Sequence, residues 1–509
     1  MRTALVAAVG LVLGVVGPAA ALPARYGGTL VVGLNNGDPD SLDPSLFRNL
    51  SAVEIANTFC ERLYVFNGRA QVVPRLAAAL PAISKDKLTY TIRLRKGILF
   101  NDGTPFDAQA VATTIMRGKT LPGSAKASDF SAISSVTAPN ASTVVIHLSS
   151  RFSPLTSILA TSDGMIMSQA QLAKLGSDFG SDPICVGPFA FDHWDHGLDV
   201  TVVKSHYYYA QDAVHLDKIV FTDATSPPAA LAALQAGDLQ VIDSVPSSEL
   251  STIRQSPSLS EIHRAALGYT AVVINIGNKN GVGNLPYQNV GSPLATSPKL
   301  RQAFEEAIDR KAWLALSGGT DEPGCTPLAP QSPYYVAIPC TPFDPADAKK
   351  LVAASATPNP TVHLIASGAF AEFIQAEEAA VGINVVLDPE PGATAQADKL
   401  AGNFDAELQA TPNGTVPDRI IYGPLATSGS SNYSGYANPR LDAILANSRK
   451  ATSATALKTL YRAAEKIVQA DRPIIYLEHP STDTAFSSSV SGVELNSDVQ
   501  LLVAFAQYR

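Results

Sequence analysis

Charged side chains are scarce in this 509-residue chain, at 16% of residues where about 25% is usual in globular proteins. The 37 basic and 45 acidic side chains leave a formal charge of −8. Phosphate binding needs a basic stripe, so a chain this acidic and charge-poor excludes nucleic acid as a partner. Glycine (35) and proline (36) are at ordinary levels, which excludes collagenous and low-complexity classes. Hydrophobic residues at 46% exclude disorder. Beyond its first residues the sequence has no run approaching the roughly 18 apolar residues of a membrane span, so the mature chain is expected to be soluble. Recognisable catalytic motifs are missing too. There is no G-x-S-x-G elbow, no H-E-x-x-H, no P-loop and no strand–G-x-G-x-x-G–helix unit. No catalytic residue, metal or cofactor is expected.

Cysteine is also rare, with four in the chain. Cys325 and Cys340 flank a proline-rich loop, and closing ~15 residues contributes about 3 kcal/mol on the chain-entropy model. Cys325–Cys340 is therefore the expected disulfide, with Cys60–Cys185 following by elimination; zinc is the weaker alternative, because no C-x₂-C or H-x₃-H spacing accompanies these residues.

The chain starts with Arg2, an apolar run from Ala4 to Val16, a Gly17-Pro18 break and the small residues Ala19-Ala20-Ala21. That is the pattern of a secretory signal over 1–21, with no following cysteine to carry a lipid anchor. Beyond it, strands and helices alternate. Short β-branched or alternating runs predict strands at 27–34, within 87–100 up to a turn at Gly97, and at 143–148, 200–203, 218–221, 269–275, 361–366, 383–387 and 473–477. Helices are expected at 108–117, with Asp107 as cap, at 227–237, from Ser297-Pro298 to a stop at Gly318-Gly319, at 370–380 and at 454–470. Residues 361–387 have the order of a βαβ unit. The fold class is α/β.

The densest polar cluster, Asp192-His193-Trp194-Asp195-His196, invites a metal reading. On a strand, however, His193 and Asp195 face one way and Trp194 and His196 the other, so a hairpin is expected instead. Tyr207-Tyr208-Tyr209 is expected to pack around a strand exit. His479 is a candidate ligand or metal contact.

Seven segments in a fixed order then suggest a family. They are G-G-T-L-V-V-G with Ser41-Leu42-Asp43-Pro44, Glu61-Arg62-Leu63-Tyr64, the run from Leu94 to Val111, and Gly187-Pro188-Phe189 with Trp194 and Gly197. The remaining three run from Leu300 to Arg310, from Phe343 to Val352 and from Asn432 to Asp442. Through them the chain resembles the large extracytoplasmic solute-binding proteins of ABC importers, family 5, which includes dipeptide-, oligopeptide- and nickel-binding proteins. The resemblance implies a type II periplasmic-binding-protein fold with two α/β lobes that close on a ligand about a two-crossing hinge. Lobe I would comprise 22–274 and 478–509, with a subdomain at about 65–185, and lobe II would comprise 275–477. It also implies a periplasmic, monomeric receptor that hands a small organic solute, peptide-like or carboxylated, to ABC permease subunits in the inner membrane. A nickel or metal-chelate receptor is the alternative; a secreted hydrolase on a similar frame is the more distant one.

In peptide-binding relatives an aspartate in a D-Y-P-D-P-like segment holds the peptide's α-amino group. The corresponding stretch here is Gly414-Thr415-Val416-Pro417-Asp418-Arg419. Asp418 matches the later aspartate, but Thr415 stands where the amine-binding carboxylate would be, which disfavours an ordinary peptide. Arg419 replaces a proline; pointing into the cleft it would clamp a carboxylate, and pointing outward it would be a solvated charge. Asn413, Asn432, Tyr433 and Tyr269, with Asn35 and Asn36 from the first lobe, complete the implied lining.

Overall fold

The computed structural model describes residues 26–509 apart from 358, 391 and 412, and only the backbone of 392 and 393. The expected signal at 1–21 lies outside the described residues. Two large sheets organise the molecule. The first has seven strands in the order Leu259–Ala265, Ser481–Ser487, Val241–Ile242, Thr29–Leu34, Lys218–Asp223, Asp199–Lys204 and Phe189–Asp195. Thr29–Leu34 lies parallel to both neighbours and buries Leu30, Val32 and Leu34 in one core, as its alternation requires.

The second sheet has six strands in the order Glu322–Pro323, Ile474–His479, Tyr269–Ile274, Ala406–Thr411, Thr361–Ile365 and Asn384–Asp388. The expected βαβ unit is there: Thr361–Ile365 and Asn384–Asp388 pair in parallel across the helix Ala369–Val381. A smaller four-stranded antiparallel sheet (Ala82–Ile83, Thr89–Arg93, Thr143–Leu148, Ile133–Asn140) packs with the helix Ala108–Thr120 around its own core. Asp107 caps that helix, its side chain accepting from the Ala110 amide. Both expected disulfides are formed, Cys60–Cys185 and Cys325–Cys340, with Cα separations of 4.8 and 4.9 Å.

Two expectations need correction. The helix read from Ser297 to Gly318 is two helices, Pro298–Ala307 and Arg310–Leu316. The break falls at Ile308–Asp309, where the Asp309 carboxylate accepts from the amides of Lys311 and Ala312 and starts a new helix. The first crossing between the large sheets, expected near Asn275, lies earlier. Tyr269–Ile274 is buried along its whole length as an inner strand of the second sheet, so the chain crosses at 266–268. The return crossing is at Pro480, between His479 and Ser481. The two crossings run side by side: the Ala266 amide donates to the Pro480 carbonyl at 2.8 Å.

Candidate functional site between the lobes

The lobes meet along a seam that lobe II reaches with the segment following strand Ala406–Thr411 and, further on, with Arg449. Strand Ala406–Thr411 leads through Asn413 and Gly414 into helix Pro417–Leu425. Gly414 passes so close to the hinge that a Cβ there would lie 1.9 Å from the Leu267 carbonyl oxygen. Thr415 then meets the C-terminal tail of lobe I. Its amide donates to Asp498 Oδ1 at 3.0 Å and its hydroxyl to Asp498 Oδ2 at 2.5 Å. Val416 is buried in the core of the four-stranded subdomain.

One turn on, Arg419 reaches across the seam. Its guanidinium donates to Asp129 Oδ2 at 2.7 and 3.0 Å and to Asp163 Oδ2 at 2.6 Å. Burial opposes the Arg419 charge, but the two carboxylates outweigh it and hold the arginine more firmly protonated than usual. Burial lifts Asp129 to about 6, against the pull of Arg419 and with the push of Asp163. Further along, the Ser153 amide donates to the Arg449 carbonyl at 2.8 Å, and the Arg449 guanidinium lies 5.2 Å over the Phe152 ring.

Of the ten residues expected to line the cleft, the structure brings Tyr269, Arg419 and Tyr433 to one cavity of about 150 Å³, with Gln409, Thr411 and Ser431 in its wall. The others are placed differently. Asp418 is buried and paired with Arg449 at 2.7 and 2.9 Å. Asn432 is fully buried and spends its side chain inside its own loop: its amide donates to the carbonyls of Ala426 and Tyr436, and its oxygen accepts from Ser434 and the Tyr436 amide. Asn413 and Asn36 are exposed. The Asn35 amide donates to Asp243 Oδ1 at 2.9 Å, and burial lifts that carboxyl to about 7.

His479 is buried in the hinge, where its Nδ1 donates to the Gly268 carbonyl at 2.6 Å; burial lowers its pKa and keeps it neutral. Tyr208 and Tyr209 pack as expected, with both hydroxyls on the Glu61 carboxylate. The Asp192–His196 cluster forms the expected hairpin. The Trp194 and His196 rings meet on one side, tilted at 41° with their centroids 3.9 Å apart. On the other, Asp199 from the facing strand joins His193 and Asp195, with donor atoms within 4.8 Å of one another, in an exposed position.

Sequence reasoning missed Asp498, Asp129 and Asp163. No local signal marks them, because each becomes a seam residue only through a partner 83, 290 or 256 positions away.

The family model for bacterial extracellular solute-binding proteins, family 5, matches residues 71–433. The chain belongs to that family. It is a substrate-binding receptor of an ABC import system, built on the two-lobed periplasmic-binding-protein fold. It is 27% identical over 486 residues to the glutathione-binding protein of Pectobacterium atrosepticum, covering 90% of each chain. It is 26% identical over 514 residues to that of Salmonella paratyphi A, covering 96% of each. Among solved structures it superposes on the dipeptide-binding protein of Pseudoalteromonas sp. SM9913 in complex with Met-Leu, with a TM-score of 0.82, 21% identity and coverage of 95% and 100%. The peptide-bound DppA of Helicobacter pylori gives a TM-score of 0.81 at 20% identity, covering 94% and 98%. Among the described residues no helix is long and apolar enough to cross a membrane.

Proposed function

We propose that this receptor captures a short, carboxylated, peptide-like solute of the glutathione class in the periplasm and releases it unchanged to its permease. Residues 1–21 direct export and are removed, and the mature receptor works as a monomer without catalysis. Lobe I comprises 26–268 and 480–509, lobe II comprises 269–479, and the ligand lies in the seam between them. The reading rests first on the similarity to glutathione-binding proteins along nine-tenths of both chains. The seam adds chemical support. It encloses a cavity of about 150 Å³ with polar side chains at Gln409, Thr411 and Ser431 and aromatic surface at Tyr269 and Tyr433, a lining suited to a small polar solute.

Closure would bring these groups together by population shift, with the differential affinity of the closed state offsetting the cost of closing. Reduced glutathione at 100 times its Kd should stabilise the protein by about 2.7 kcal/mol, read as a rise in thermal midpoint. Mass spectrometry should then recover the peptide intact after prolonged incubation. Consumption of the stabilising compound would overturn the receptor reading in favour of a hydrolase.

A further inference from the structure

A cavity of about 330 Å³ with an apolar wall lies in lobe I next to Asp498. Val65, Phe66, Leu502 and Phe505 supply its apolar wall, and its charges are Glu61, Arg62, Arg75, Glu494 and Asp498. Most of those charges are committed. Glu61 accepts from Arg75 Nε at 2.8 Å, from Tyr208 at 2.7 Å and from Tyr209 at 2.9 Å, which also occupies Arg75. Both oxygens of Asp498 accept from Thr415. Arg62 differs. It donates to the side-chain oxygen of Asn57 and, at a long 3.4 Å, to the Ala160 carbonyl, and it is in no ion pair among the described residues.

The other arginines in the protein's interior show what such a group usually has. Arg117 is paired with Asp43, Arg310 and Arg472 with Glu305, Arg419 with Asp129 and Asp163, and Arg449 with Asp418. Arg301, which lacks a carboxylate, is capped by the carbonyls of Asp471 and Leu294 at 2.8 Å each. A half-buried guanidinium without a carboxylate has forgone its strongest available partner, a planar anion bound through two parallel N–H···O bonds. Burial accordingly lowers the Arg62 pKa to about 10, although Asp498, Asp163 and Glu61 favour its charge.

We infer that Arg62 is the anchor for a carboxylate of the transported solute, whose apolar portion lies against Phe66, Leu502 and Phe505 in this cavity. The inference rests on the receptor reading and adds to it which group of the solute is recognised and where.

The test is calorimetric titration of the full mature chain with reduced glutathione, with Met-Leu and with the carboxamide of each. Wild type should bind an acid at least about tenfold more tightly than its amide, as expected for loss of a charge-assisted pair. Arg62→Gln should weaken binding of the acid by the same factor and bind acid and amide alike, and Arg62→Lys should keep part of the preference. Equal affinities for wild type and Arg62→Gln, with the acid preference intact, would overturn the inference and leave the receptor reading standing. Wild type that binds none of the probes would overturn the peptide-like receptor reading and this inference with it. Should Arg62→Gln not fold, the acid-against-amide comparison on wild type and Arg62→Lys decides, and no acid preference there overturns the anchor.

Discussion

Two buried side chains of lobe II show how differently a polar group can be accommodated. Asn432, 0% exposed, satisfies both its oxygen and its amide within the loop it stabilises, which makes it a strut. Glu465, 4% exposed in the helix Ala454–Asp471, has a side-chain oxygen with no partner, and burial lifts its pKa to about 8. The folded state therefore holds Glu465 neutral, whereas the unfolded chain ionises it above about pH 4.3. Between those values the folded state binds the extra proton, so stability from this group falls as pH rises, by at most about 1.4 kcal/mol per pH unit. Denaturant unfolding of Glu465→Gln at pH 5 and pH 8 should show a smaller loss between the two than wild type, with the variant the more stable protein at pH 8. Equal slopes would mean that the carboxyl is solvated.

At the scale of elements, the strands and helices were legible wherever side-chain periodicity and the chain's own punctuation agreed. Thr143–Leu148 alternates cleanly, and Pro227–Ala236 begins with proline and ends at Gly237 in the left-handed conformation. The misreading at 297–318 came from following apolar spacing through Ile308 and passing over Asp309, a capping residue in the middle of an apparent helix. Because that cap accepts from the first amides of Arg310–Leu316, Asp309→Ala should destabilise the fold by about 1 kcal/mol, measurable as a lower denaturant midpoint with an unchanged slope. The site was less legible than the fold for a related reason. Sequence resemblance could find the segment 413–419, but not that Asp498 would stand opposite Thr415 or that two aspartates would take up Arg419. Those partnerships depend on how three sheets are set against one another, and no local pattern encodes that.

At the scale of the whole molecule, the hinge and the seam act on opposite sides of one equilibrium. The crossings are tied together at His479–Gly268 and Ala266–Pro480, which fixes the pivot, while Thr415, Val416 and Arg419 hold the lobes together along the seam. Arg419 is the strongest of these latches, since it binds two carboxylates and is itself only 30% exposed. Asp163, 7% exposed, would be left with a buried charge if the arginine were removed. Arg419→Gln should therefore shift the unliganded protein toward open forms, seen in small-angle scattering as a larger radius of gyration. Saturating ligand should return that radius to the wild-type value, because binding energy replaces the lost latch. A fall in the closed fraction from about one half to one tenth would weaken the apparent affinity about fivefold through the conformational equilibrium alone. Asp163→Asn, which loosens the same latch from lobe I, should move the radius in the same direction. If both variants scatter like wild type without ligand, the ion pairs at the seam do not set the resting state, and closure is governed at the hinge.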